Sequence, residues 1–332
     1  MTAAPSDARW VLGVDIGGTN LVVAAVPFGG GPPRGLRRSP TNRSPDATVD
    51  EVTRLAAEVV REAIERHGCP VDQLLGVGIG CPGPLDVDLG LVIATPNLGW
   101  RDYPIRDRIA ERLALPATLE NDANCATYGE YWQGAGRGAR SLVGVTLGTG
   151  IGGGIILDGA IVRGVSNVAG ELGHTTIDFM GRRCACGNYG CLEAYASGPN
   201  IAARAREGLE AGYESSLAEL VGGDLSKITA ATVYDALVAG DEYATEVMGE
   251  TAKILGAGIA NVVNLLNPDR VVVVGGVTRA GDHLFNPLRA EVRRRAFEAA
   301  VSACRILPGE LPETAGVIGA AGVFIAEGPF RA

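Results

Sequence analysis

Two glycine-rich runs, each lodged between β-branched segments, constrain this chain more than any other feature. The first, Ile16-Gly17-Gly18-Thr19-Asn20, separates residues 10–15 from 21–26. The second runs from Leu147 through Gly148, Thr149 and Gly150 to Gly154, between strand-like residues 142–147 and 153–157. Glycine reaches positive φ without steric cost, so each run reads as the tight turn of a β-hairpin. Helices and strands alternate after the first hairpin. Thr48 and Glu51 form a capping box, followed by apolar Val52, Leu55, Ala56, Val59 and Ala63 at helical spacing, with Gly68 as terminator. A buried-strand pattern at 74–80 is broken by Cys81-Pro82-Gly83-Pro84, then a helix is expected over 105–113 and a strand over 117–120.

The second half starts the pattern again. Strands at 142–147, 153–157 and 160–163 precede a long amphipathic helix at 241–266, whose Val247, Thr251, Leu255, Ile259, Val262 and Leu266 share a face. A strand at 270–274 ends in Gly275-Gly276. A helix near 284–297, a strand at 304–307 and a last helix from Ala315 to Ala326 complete the chain. The expectation is a two-lobed α/β protein, the second lobe repeating the first as an internal duplication would, with a cleft between them. The small lobe would span 9–120 and be completed by a C-terminal helix within 315–332; the large lobe would span 121–314.

Several function classes fall away. The lysines, Lys227 and Lys253, are each followed by Ile and lie outside any glycine run, so the P-loop signature G-x-x-x-x-G-K-[ST] is absent. A formal charge of −9 argues against a nucleic-acid partner. The uncharged stretch 141–157 is short and full of glycine, which excludes a membrane helix there. Residues 1–8 show no apolar signal-peptide core, and seven cysteines form an odd set, so reduced thiols in a cytoplasmic protein are expected.

Four segments carry chemistry. Asp15 to Asn20 is either an ordinary turn or a phosphate loop, with backbone N–H groups and Thr19 on phosphate oxygens and Asp15 toward a hydrated Mg²⁺. Gly148, Gly150 and Gly153 match G-x-G-x-x-G, but a strand follows where a Rossmann motif requires a helix, so a second hairpin phosphate loop fits better. Asn121-Asp122 opens a helix; taken alone it is a cap, and the functional alternative makes Asp122 a general base for a substrate hydroxyl. His174 with Cys184, Cys186 and Cys191 carries the strongest signal. One imidazole and three tightly spaced thiolates can close a tetrahedral, structural Zn²⁺ site. His67 and His283 sit in polar, helix-flanking contexts without comparable neighbours.

Together, Asp15-Ile16-Gly17-Gly18-Thr19, Glu120-Asn121-Asp122-Ala123-Asn124, the 147–154 loop, Glu171-Leu172-Gly173-His174 and the run from Cys184 to Glu193 resemble the ROK family of bacterial sugar kinases and repressors, most closely its glucose-phosphorylating branch. The resemblance spans nearly the whole chain. It implies an actin-like, ribonuclease-H-related fold and transfer of the γ-phosphoryl group of ATP, with Mg²⁺, to the 6-hydroxyl of glucose. Asp122 matches the family's base; Asn121, Glu171, His174 and Glu193 match its sugar ligands, with Gly83 and Asn97 as further candidates for that pocket. Gly275-Gly276 matches the segment over the adenosine, and His174 would serve both zinc and sugar. Asn20 departs from the lysine that many relatives carry. The family also implies a dimer or tetramer. Kinases for N-acetylglucosamine, N-acetylmannosamine or fructose share these ligands and are the nearest alternative. A sugar-responsive repressor is the rival of another class, and the hairpin beginning at Trp10 leaves no room for its helix-turn-helix. Loss of zinc is expected to loosen 174–193 and to spare the glycine loops at Gly17 and Gly148.

Overall fold

The structure, a computed structural model, describes residues 8–95 and 97–329. In chain order, β1 (Trp10–Ile16), β2 (Asn20–Pro27) and β3 (Leu36–Pro40) form an antiparallel meander, followed by α1 (Pro45–His67) and β4 (Leu74–Cys81). Three short strands come next, β5 (Leu85–Asp86), β6 (Leu91–Thr95) and β7 (Trp100–Tyr103), then α2 (Ile105–Leu113), β8 (Ala117–Asn121) and α3 (Asp122–Gln133). The strands β9 (Ser141–Leu147), β10 (Ile151–Leu157) and β11 (Ala160–Ile161) repeat the opening motif. A helical stretch holds α4 (Glu193–Ala196), α5 (Gly198–Glu210), α6 (Leu217–Leu220), α7 (Ala230–Val238) and α8 (Glu242–Leu266). The chain closes with β12 (Arg270–Val274), α9 (Asp282–Arg295), α10 (Glu298–Ala303), β13 (Arg305–Pro308) and α11 (Ala315–Glu327).

The first sheet has the order β3-β2-β1-β4-β8 and the second β11-β10-β9-β12-β13. Counted from each opening hairpin, these are the same order, three meander strands and then two parallel ones. The α/β class and the repeated pattern read from the sequence are therefore present. Two compact units emerge from the contacts. One holds residues up to Ala139, Gly154–Gly170 and everything from Glu310 on; the other holds Arg140–Gly153 and Glu171–Gly309. The break expected after Glu120 falls instead after Ala139, since α3 packs on α11 within the first unit. α11 runs from Ala315 to Glu327, one residue past the expected Ala326, with Gly328 as its cap; residues 330–332 lie outside the described residues.

In the first unit, Leu21, Val23 and Ala25 of β2 join Val14, Ile16, Val52, Leu55 and Val59 in one core, on the α1 side of the sheet. The alternating Val22, Ala24 and Val26 pack instead with Val317, Ile318, Ala321 and Phe324 of α11. A strand buried on both faces has no polar alternation, which is why β1 and β2 read as continuous apolar runs. α11 comes unusually close. A Cβ on Gly13 or Gly78 would overlap the carbonyl oxygens of Val317 and Ala320, and one on Gly129 that of Ala315.

Two local expectations change. The cap of α1 is Ser44, whose Oγ accepts from Ala47 N at 3.4 Å, with Pro45 opening the helix; Thr48 is buried inside it. The small antiparallel sheet β5-β6-β7 has no counterpart in the sequence reading, because its strands are short and carry Asp86, Arg101 and Asp102 without clear alternation. In the second unit α8 buries Val247, Thr251, Leu255 and Ile259 as expected, with Val263 rather than Val262 closing the stripe. Among the described residues no helix is long and apolar enough to cross a membrane.

Gly78→Ala is expected to destabilise the protein by about 3 kcal/mol, the upper part of the usual range for overpacking a close contact. Gly249→Ala in α8, where a Cβ meets nothing within 4 Å, should be neutral or stabilising by up to roughly 1 kcal/mol. Urea unfolding midpoints at constant m-value compare the two.

Candidate functional site

Each compact unit carries its own share of the site residues. In the first, β1 delivers Asp15 to the start of the hairpin turn. Gly17 N donates to Asn20 O at 2.8 Å and Thr41 Oγ1 donates to Gly17 O at 2.8 Å, so Gly17 is occupied in holding the turn. Gly18 and Thr19 stand exposed at its tip. Asp15 is half-buried, beside Gly80 and against Gly316 in the first turn of α11. Desolvation, reinforced by the negative charge of Asp122, raises its pKa from 3.8 to about 7. Two carboxylates that repel across a desolvated space form a donor set suited to a hard divalent cation.

The β8–α3 junction places Asp122. Asn121 is the N-cap of α3, its Oδ1 accepting from Ala123 N at 2.9 Å and Asn124 N at 3.1 Å. Capping therefore falls to Asn121, and Asp122 occupies the first helical position, its Oδ1 also accepting from Ala123 N at 2.9 Å. With Oδ1 of Asn121 engaged, its amide Nδ2 is the atom left for a ligand; that atom lies 3.7 Å from where a Cβ on Gly83 would stand. Asn97 lies beside the first turn, 3.8 Å from the Cβ position of Gly18. The structure thus brings Gly83 to Asn121 and Asn97 to the Gly18 turn.

In the second unit, β9 and β12 run parallel, and the loops after their carboxyl ends meet. The 148–150 turn is closed by Gly148 N donating to Gly150 O at 2.9 Å and pinned by Gly198 N donating to Gly148 O at 2.9 Å. Gly275 has φ +110°, and a Cβ there would overlap the carbonyl of Leu147, so glycine is required for the approach. A cavity of about 690 Å³ opens between Gly148 and Gly276, walled by Tyr234, Met248, Val277 and Arg279. Its position beyond the carboxyl ends of parallel strands is where open α/β sheets bind ligands. Tyr234, Met248 and Arg279 were not singled out from the sequence, where they read only as parts of ordinary helices and turns.

The His174, Cys184, Cys186 and Cys191 ligand atoms all lie within 4.8 Å of one another. Cys184 Sγ is 3.8 Å from His174 Nδ1, and Cys186 Sγ is 3.7 Å from Cys191 Sγ. A tetrahedral zinc with bonds of about 2.3 Å requires ligand–ligand separations of about 3.8 Å, so the four residues fit one metal. Turning Nδ1 to the thiols leaves Nε2 of His174 for another partner. Burial holds the Cys191 thiol up at about 12, while the Asn188 backbone N–H lowers Cys186. All seven cysteines are free thiols.

Glu171 precedes the single helical turn Leu172–His174 and is exposed. Glu193 is bound on two sides: Oε2 accepts from Ile151 N at 2.8 Å, and Cys184 Sγ lies 3.9 Å from Oε1. One carboxylate thus neighbours both the glycine loop at Gly148 and the cysteine cluster, which bears on the expectation that the loop is spared when the cluster is disturbed.

The repeated α/β architecture, with a glycine-turn hairpin opening each sheet, is that of the actin-like class. This chain belongs to the ROK family, whose sequence model matches residues 11–327. A glucokinase from Halalkalibacterium halodurans is 39% identical over 94% of this chain and 93% of its own. One from Thermotoga maritima is 36% identical over 94% and 96%. The crystal structure of a ROK family glucokinase from Streptomyces griseus in complex with glucose and AMPPNP superposes with a TM-score of 0.80 at 34% identity, covering 95% of this chain and 98% of that one.

The raised pKa of Asp15 gives a stability prediction for the ligand-free protein. A carboxyl that ionises near 3.8 unfolded and about 7 folded makes the native state the tighter proton binder between those values. Stability should then fall as pH rises from about 4 to 7 and level off above, with a slope of up to about 1.4 kcal/mol per pH unit from this group. Asp15→Asn should remove that component; identical pH–stability curves for the two proteins in chelator would refute it.

Proposed function

We propose that this protein is a glucokinase, transferring the γ-phosphoryl group of ATP to the 6-hydroxyl of D-glucose with Asp122 as general base. The observation that carries the reading is the placement of Asp122. It opens α3 close enough to Asp15 for the two carboxylates to repel, and with Asn121 as the N-cap the helix does not depend on Asp122 alone, so its carboxylate can accept the proton of an attacking hydroxyl. Phosphoryl transfer asks mainly for alignment and charge neutralisation, and this chain supports both without a P-loop lysine. Gly18, Thr19, Thr149 and Gly150 offer backbone and hydroxyl donors for phosphate, while the Gly148 N–H, like that of Gly17, holds its turn. Gly275 and Gly276 frame the cavity suited to the adenosine. Mg²⁺ would be held at Asp15 and would neutralise phosphate charge.

Sugar recognition is assigned to Asn121 Nδ2, Glu171, His174 Nε2 and Glu193, with Gly83 and Asn97 lining the same pocket. Polar groups that each read one hydroxyl discriminate between epimers, because a misplaced hydroxyl leaves a buried partner unpaired. Relatives named glucokinase support glucose over N-acetylhexosamines or fructose. The four-residue cluster would hold a structural Zn²⁺ that fixes His174 and, because Cys191 stands two residues before Glu193, the segment that carries the sugar-side carboxylate. The reading extends to a cytoplasmic homodimer or homotetramer without nucleic-acid partners; a net charge of −9 supports the last point.

Coupled ADP-release assays over glucose, mannose, N-acetylglucosamine, N-acetylmannosamine and fructose test the substrate: glucose should show the highest kcat/KM, and a higher value for any other sugar would reassign it. Asp122→Asn should lower kcat by about 10²–10⁴-fold, the scale of a positioned base, while glucose still binds and thermal stability hardly changes because Asn121 keeps the cap. Near-normal turnover would remove Asp122 from the chemistry. Purified protein should contain about one zinc per chain, and Cys186→Ser should release it. Since Glu193 ties the cluster to the 148–151 loop, KM should rise for both glucose and ATP; fully active, zinc-free wild-type protein would sink the assignment.

A further inference from the structure

Glu120 is a buried carboxylate, 2% exposed, that the chemistry above does not use. Its two oxygens face different partners. Oε1 accepts from the backbone N of Asn121 at 2.8 Å and from Asn124 Nδ2 at 2.9 Å. Oε2 accepts from Arg163 Nε at 2.6 Å and lies 2.6 Å from its Nη2. Arg163 follows β11 and is 22% exposed; the same Nη2 reaches Glu327, at the end of α11, at 2.7 Å. Arg163 thus clamps the last strand residues before Asp122 from outside the β8–α3 segment. The Glu120 side chain in turn grips both residues that take part in the cap, the Asn121 backbone and the Asn124 amide.

We propose that Arg163 is a positioning residue for Asp122, acting through Glu120; this rests on the reading of Asp122 as the base. An ion pair buried this deeply adds little net stability, because desolvation offsets much of the attraction. What it supplies here is direction. A guanidinium fork on Oε2 fixes the carboxylate plane. That leaves Oε1 aimed at the Asn121 amide and the Asn124 side chain, which sets where the first turn of α3 begins and so where the Asp122 carboxylate stands. A displacement of about 1 Å at a reacting group is enough to cost on the order of 10²-fold in rate.

The test is a set of variants assayed in steady state. Arg163→Met should lower kcat by about 10²-fold, a displacement-sized loss, with KM for ATP within about twofold of wild type. Arg163→Lys, which keeps a cation on Oε2, should recover most of it. Gln at 120 retains an acceptor for Asn121 N and Asn124 Nδ2 and removes the charge that Arg163→Met strands, so the double variant Glu120→Gln/Arg163→Met should fold and exceed Arg163→Met in kcat by about tenfold. Glu327→Gln removes only the half-exposed end of the chain of contacts and should leave kcat within about twofold. Unchanged kcat in Arg163→Met, a double variant no faster than the single one, or an equal loss in Glu327→Gln would each overturn the proposal. Should Arg163→Met fail to fold, the lysine and double variants still decide it. Asp122→Asn measured alongside separates the two readings: activity surviving in Asp122→Asn defeats the base assignment, whereas its loss beside a normal Arg163→Met defeats the positioning role alone.

Discussion

The contact on which the first unit depends is backbone against backbone. Carbonyl oxygens of α11 lie where side chains would stand at Gly13 and Gly78, so the last helix rests on β1 and β4 with no Cβ layer between them. That approach buries Val317, Ile318, Ala321 and Phe324 against the sheet face opposite α1. It also brings Gly316 against the carboxylate of Asp15. The desolvation that raises Asp15 toward neutrality is therefore a product of the same packing. Fold stability and the electrostatics around Asp15 share one cause.

At the β8–α3 junction three neighbouring side chains divide the work. Asn121 accepts from the amides of Ala123 and Asn124, Glu120 anchors the segment to Arg163 and Asn124, and Asp122 shares the Ala123 amide through its Oδ1. With Asn121 as the N-cap, the start of α3 does not depend on Asp122 alone.

The second unit shows coupling of another kind. Glu193 touches the glycine loop with one oxygen and the cysteine cluster with the other, so the residues assigned to sugar, phosphate and zinc share a rigid group. Supporting contacts of this sort decide whether a polar pocket is loose or selective.

Much of this was legible in the chain itself. Period-2 and period-3.6 patterns placed α2 and β12 at their observed bounds and the opening hairpins within a residue or two, because those elements are defined by local burial and by glycine turns. The Cys184–Cys191 spacing and His174 marked a set of metal-binding donors, and folding brings those four ligand atoms within 4.8 Å of one another. Other features depend on residues far apart in the chain. Nothing near Arg163 marks it as the partner of Glu120, 43 positions away; nothing in Gly78 names a helix 240 residues later. Of the cavity's walls, Gly148 lies in a glycine run conspicuous in the sequence, whereas Tyr234 and Met248 carry no signal of their own. Sequence determined the elements and the chemically loaded motifs, because both follow from local periodicity and residue type. Tertiary structure alone decided which carboxylate is clamped and which is raised toward neutrality, because those outcomes depend on burial and on partners that only folding brings within reach.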